Sequence, residues 1–166
     1  MARDFTCPPL DATDLRILDQ LQRDASLSNQ DLAARVHVSP ATCLRRVKRL
    51  VDTGVVERRV ALLSAEKLGA GLTTIVEITL DRQGAEHLAA FEARAVAEAA
   101  VQQCWRVSPG PDFVLVLQVA DMAAYHALVQ RLFTQDANVR NVKSYFSVKR
   151  AKFEPAVALP GAPVSA

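Results

Sequence analysis

Residues 39–50 read Ser39-Pro40-Ala41-Thr42-Cys43-Leu44-Arg45-Arg46-Val47-Lys48-Arg49-Leu50. Ser39 is a helix cap, since its hydroxyl can accept an orphan backbone N–H, and Pro40 suits the first helical position, where an N–H would have no partner. Cys43, Leu44, Val47, Leu50 and Val51 recur at three-to-four spacing, which predicts a buried face. Thr42, Arg45, Arg46 and Arg49 are then expected to project outward, with Lys48 as a fourth cation; no Asp or Glu falls within 39–49. Gly54, after Asp52-Thr53, is a helix stop.

Upstream, Leu15, Leu18 and Leu21 share a helical face from Asp14 to about Asp24, with Ile17 alongside. Ser28 and Asp31 open a short helix whose inner face is Leu32, Ala33 and Val36. His37-Val38 is the turn into the cationic helix. Two short helices joined by a tight turn, the second bearing the cations, predict a helix-turn-helix. Such a helix fits the major groove: arginine can grip a guanine edge or a phosphate, and the Ser39 and Thr42 hydroxyls sit where the helix end meets the backbone. A basic helix face can also be merely solvated surface; the capped helix and turn before it favour DNA. Arginines tied up by neighbouring carboxylates would count against the groove.

Downstream, Val55–Leu63 alternates like a strand, and 64–71 is a boundary with two glycines. Leu72–Leu80 reads as a strand and Gly84 to about Ala99 as a helix. Val101–Val107 follows as a strand, and Phe113–Ala120 as an apolar strand of the kind buried on both faces. Asp121 caps a helix through about Phe133 with Met122, Tyr125, Leu128, Val129 and Leu132 inward; Val139–Lys149 is the last strand. The order β-α-β-β-α-β predicts a ferredoxin-like sandwich, so the fold class is α+β. The division expected is a DNA-binding head over 1–54, a strand-like hinge over 55–71, a sandwich over 72–153, and a disordered tail over 154–166.

Composition bounds the remainder. Of 166 residues, 50% are apolar and 23% charged, which excludes a disordered chain. The uncharged run Phe113–Ala120 is eight residues, far short of the roughly 20 of a membrane helix. The N-terminus lacks the apolar core of a secretory signal. Cys7, Cys43 and Cys104 are odd in number and widely spaced, so reduced thiols in the cytoplasm are expected rather than a disulfide framework or zinc site. Net charge is +2, so the basic signal is one local patch. Cys43 reads as a buried small hydrophobe, Cys104 as core or interface, and His37, His87 and His126 as surface groups. No catalytic triad, P-loop or carboxylate pair appears, and an enzyme is not expected.

The blocks Leu10–Leu18, Asp31–Val36, Ser39–Leu50, Gly54-Val55-Val56, Ala61-Leu62-Leu63 and Glu66-Lys67-Leu68-Gly69 fall in the order and spacing of one family. Over roughly residues 10–150 the chain resembles the leucine-responsive regulator/asparagine regulator (Lrp/AsnC, feast/famine) family. The resemblance implies an N-terminal winged helix-turn-helix and a C-terminal ligand-sensing domain. It implies homodimers formed sheet to sheet, octamers or other discs in some members, and amino-acid effectors bound between dimers. The family's effector loop carries Gly-x-x-Asp after the second strand of that domain. Here Asp112 matches, Pro109 takes the glycine's place and the glycine stands at Gly110. By this resemblance Ser108, Pro109, Gly110, Asp112 and Ser144 are the candidate effector residues, Asp112 facing an ammonium group. Pro109 and Pro111 stiffen the loop and remove backbone donors. The reading is a sequence-specific transcriptional regulator responsive to a small metabolite, without a metal or other cofactor. A ligand-independent architectural DNA-binding protein is the alternative.

Overall fold

The computed structural model of the chain describes residues 9–69 and 71–160. Cys7 and the last six residues of the expected tail therefore lie outside the described residues. Two compact units result: the chain up to Leu62 joined by the segment from Phe153, and Leu63–Lys152.

In the first unit, helix α1 (Ala12–Arg23) begins two residues before the expected Asp14, because Asp11 caps it. Asp11 Oδ1 accepts the N–H groups of Thr13 and Asp14, both at 2.9 Å, and Asp14 Oδ2 accepts the Asp11 N–H at 3.1 Å. This is a capping box built from two aspartates. Helix α2 (Asn29–Arg35) starts at Ser28, whose Oγ accepts the Asp31 N–H, and α3 (Pro40–Asp52) starts at Ser39, whose Oγ accepts the Thr42 N–H. His37 makes the turn between them at φ 58°, a left-handed conformation that side chains rarely adopt. Ile17, Leu18, Leu32, Ala33, Val36, Cys43 and Leu50 form the core of this unit.

Two expectations are corrected here. Val55–Leu63 alternates but forms no strand: Val55 and Val56 pack on the core of the first unit, while Val60, Leu62 and Leu63 are exposed. A ladder needs a second strand, and among the described residues none lies along this one. The tail is not disordered over its described part. Val157 donates its N–H to Gln22 Oε1 at 2.7 Å, Gln22 Nε2 donates to the Val157 carbonyl at 3.2 Å, and Leu159 packs on the first unit's core. A primary amide can satisfy one residue's N–H and C=O together, as a neighbouring strand would. The first unit thus takes in described residues from both before and after the second.

In the second unit a 3₁₀ turn (Glu66–Leu68) precedes β1 (Leu72–Leu80), α4 (Ala85–Ala97), β2 (Val101–Arg106), β3 (Phe113–Val119), α5 (Met122–Val129) and β4 (Val139–Phe146). Helix α5 runs into one π-type turn, Gln130–Thr134. The sheet order is β2-β3-β1-β4, with every pairing antiparallel, which is the expected βαββαβ sandwich. Val76, Ile78, Leu80, Phe113, Leu115 and Leu117 alternate onto one face and meet Phe91, Ala95, Leu128 and Phe133 from the helices. Phe91 and Phe113 pack with ring centroids 4.8 Å apart. Strand β3 was expected to be buried on both faces, but Val114, Val116 and Gln118 are only half-buried. Both helices lie on the other face, so a single copy leaves this one open. Ile75, Trp105 and Tyr145 are exposed, as is Met122, which was expected inward.

Truncation after Glu154 removes both Gln22 contacts and the Leu159 packing, and should destabilise the first unit by about 1–2 kcal/mol. Hydrogen exchange at the amides of α1 in the full-length and truncated chains measures this directly.

Candidate DNA-reading face and effector loop

Helix α3 is rotated relative to the expected face. Cys43 and Leu50 are buried and Val47 is half-buried, but Leu44 and Val51 are exposed. The inward stripe therefore includes Arg46 and Arg49. Arg46 Nη1 donates to Asp11 Oδ2 at 2.7 Å and to Asp14 Oδ1 at 2.9 Å, and Arg49 Nη2 donates to Asp14 Oδ2. The Asp14 side chain is 1% exposed, Arg46 21% and Arg49 41%. Arg46 and Arg49, expected to project toward DNA, are thus tucked against neighbouring carboxylates. A carboxylate this buried must be paired, and two guanidinium groups pair it.

The pairing perturbs the acids. The Asp14 N–H and the Arg46 guanidinium hold the Asp11 carboxyl at about 2, below its ordinary 3.8. Burial pushes Asp14 up, yet the Asp11 N–H, Arg49 and Arg46 together bring it below its ordinary value. Both carboxylates are ionised in the native state where the unfolded chain has begun to protonate.

Arg45 and Lys48 remain outward. Both are exposed, and neither takes part in an ion pair among the described residues. They share a face with exposed Ala41 and Leu44. At the start of the helix the Ser39 hydroxyl donates to Thr42 Oγ1 at 2.9 Å, and Asn29 Nδ2 donates to the Pro40 carbonyl at 2.9 Å. Asn29 fixes the N-terminus of α2 against that of α3. Sequence reasoning passed over Asn29, Asp11 and Asp14; the Asp-x-x-Asp spacing of the last two was the available signal.

The effector candidates lie on different parts of the sheet. Ser108, Pro109 and Gly110 form an exposed loop joining β2 to β3, with a cis Ser108–Pro109 bond and Gly110 at φ 120°. The Asp112 carboxylate accepts the Leu80 N–H at 2.7 Å and Gln83 Nε2 at 3.3 Å, and the Asp112 N–H reaches the Ile78 carbonyl at 2.8 Å. Asp112 therefore clips the loop to the end of β1. Ser144 lies within β4, paired with Val76 on the far side of β1, and its Oγ accepts from the Tyr125 hydroxyl at 2.5 Å. Ser144 and the loop thus lie on opposite sides of β1. A shallow recess near this end of the sheet is lined by Asp81, Arg82, His87, Asp136, Ala137 and Asn138. Among the described residues, no three His, Cys, Asp or Glu side chains are grouped to hold a metal, and no helix is long and apolar enough to cross a membrane.

Two family models match the chain: winged helix-turn-helix DNA-binding over residues 10–57 and Lrp/AsnC ligand binding domain over residues 73–157. The chain is a DNA-binding regulator with a ligand-binding domain, not an enzyme. The leucine-responsive regulatory protein of Haemophilus influenzae is 41% identical over 143 residues, 86% of each chain. A transcriptional regulator of Neisseria meningitidis solved with L-methionine superposes at TM-score 0.84 with 32% identity, over 92% of this chain and 98% of that one. An AsnC family regulator of Agrobacterium tumefaciens superposes at 0.83 with 32% identity, over 90% and 97%. The protein belongs to the Lrp/AsnC family of transcriptional regulators.

Asp14→Ala should cost the head about 2 kcal/mol, because it leaves Arg46 and Arg49 without their shared partner. Because both carboxylates titrate lower in the folded state, their stabilising contribution is complete above about pH 4 and is lost as pH falls toward 2. Urea unfolding at pH 7 and pH 3 should show a smaller acid loss in Asp11→Asn than in the parent chain.

Proposed function

We propose that this regulator reads its operator through the exposed face of α3, with Arg45 and Lys48 making the charged contacts and Ser39 and Thr42 meeting the phosphate backbone. The observation that carries the reading is the division of labour on α3: Arg46 and Arg49 hold the helix against α1, while Arg45 and Lys48 stay exposed and form no ion pair among the described residues. Arg46 and Arg49 act by fixing the helix's rotation and reach DNA only at the edge of the groove. The chain works as a homodimer in the cytoplasm, in some conditions as an octamer, so that two heads meet half-sites roughly 34 Å apart. The open sheet face with exposed Ile75, Trp105 and Tyr145 supports a dimer, since a large exposed apolar patch marks an interface.

The effector is an amino acid or a related metabolite held between subunits. The methionine in the Neisseria structure supports this, as does the way one copy leaves the loop 108–112 and Ser144 apart. Asp112 is already engaged by Leu80 and Gln83, so the loop's backbone and Ser108 are left to meet the ligand. A ligand that prefers one dimer geometry shifts the spacing of the heads and so the fit to the operator. The stiff, proline-bearing loop also favours a second reading, an architectural DNA-binding protein with no effector.

Fluorescence anisotropy against a duplex that the protein selects from a random pool, and against its scrambled counterpart, tests the DNA reading. Arg45→Ala should lose roughly 5- to 150-fold in specific affinity without unfolding. Lys48→Ala should weaken binding to both duplexes and reduce the salt slope by about one. Equal parent affinity for the two duplexes would overturn sequence-specific reading. A thermal-shift screen of the common amino acids separates the two readings: a rise of several degrees with one of them supports sensing, and none supports the architectural role.

A further inference from the structure

Leu44 is 60% exposed and takes no part in the core of the head. A lone exposed leucine says little. This one lies one turn after exposed Ala41, within one turn of Lys48 and beside Arg45, on the face of α3 turned away from α1 and α2. The Asp11–Asp14–Arg46–Arg49 network prevents α3 from rolling to bury Leu44 in place of Val47. Ala41 and Leu44 therefore form a small apolar shelf in the N-terminal half of the helix, flanked by two cations. In the major groove the apolar group a protein can read is the thymine C5-methyl, and the N-terminal half of a recognition helix is the part that meets base edges.

We infer that Leu44, supported by Ala41, is a specificity-determining residue that packs on the methyl group of a thymine in each half-site. The inference rests on α3 being the reading helix. Packing a methyl against an alkyl side chain removes it from water, and its loss should weaken binding about fourfold per half-site, the equivalent of about 0.8 kcal/mol. Arg45 and Lys48 supply affinity from phosphates or guanine, and the shelf adds a preference for thymine at one position.

The experiment uses the full-length protein and a duplex it selects from a random pool. Each thymine is replaced in turn by uracil, which removes only the methyl group. Parent, Leu44→Ala and Arg45→Ala proteins are titrated by anisotropy, with their melting temperatures and solution masses measured alongside. The parent should lose about fourfold at one thymine per half-site. Leu44→Ala, which alters both heads of the dimer, should bind the unmodified duplex about sixteenfold more weakly and be indifferent to uracil at that position. If Arg45→Ala weakens binding while the parent and Leu44→Ala share one uracil profile, Leu44 reads no methyl and the inference fails with the α3 reading intact. If Arg45→Ala is also silent, α3 does not enter the groove and both fail. If Leu44→Ala changes the solution mass and keeps the parent's uracil profile, Leu44 contacts a second copy of the chain and the inference fails.

Discussion

The DNA-binding head turns on a buried carboxylate shared by two guanidinium groups. Asp14 closes the capping box of α1 and receives both Arg46 and Arg49 from α3. An unpaired charge at that depth would be costly, so the helices are held in the one rotation that satisfies it. The interaction matters more for orientation than for net stability, since an apolar packing of equal volume could serve stability as well. Turning Arg46 and Arg49 inward places Ala41, Leu44, Arg45 and Lys48 together on the outside. The outward surface of α3 is chosen by what the inner face must bury.

How much of this was legible depends on where each signal resides. Caps are local, so Ser28, Ser39-Pro40, Gly54 and Asp121 marked their helix ends correctly. Strand β1 was bounded to the residue by its alternation and the glycine-bearing boundary before it. The facing of α3 was not local. Apolar residues at 43, 47 and 50 and at 44 and 51 define two overlapping stripes, and spacing alone joins them into one. The deciding residue, Asp14, is about thirty positions upstream, and the Asp-x-x-Asp pair looks like surface charge until the fold brings Arg46 onto it. The resemblance to the family located the head and the sandwich, but residue by residue it did not separate the arginines that lock from those that reach outward.

The segment 55–63 and the open sheet face teach a complementary lesson. Their alternating patterns are real, yet the structure shows exposed apolar side chains where the sequence promised burial. A period-2 pattern records that a face is to be covered, not which chain covers it. Two candidate effector residues are likewise engaged: Asp112 clips the loop to β1, and Ser144 accepts from Tyr125 of α5. Of the candidates, Asp112 and Ser144 each have a structural partner within one copy of the chain.

The tail docks without a periodic signature. The sequence of residues 153–160, rich in proline and nearly free of charge, gave no periodic pattern to read, because its docking uses one side-chain amide and one leucine rather than a repeating face. Its effect is topological. The sandwich, Leu63–Lys152, is inserted between two segments that both belong to the head.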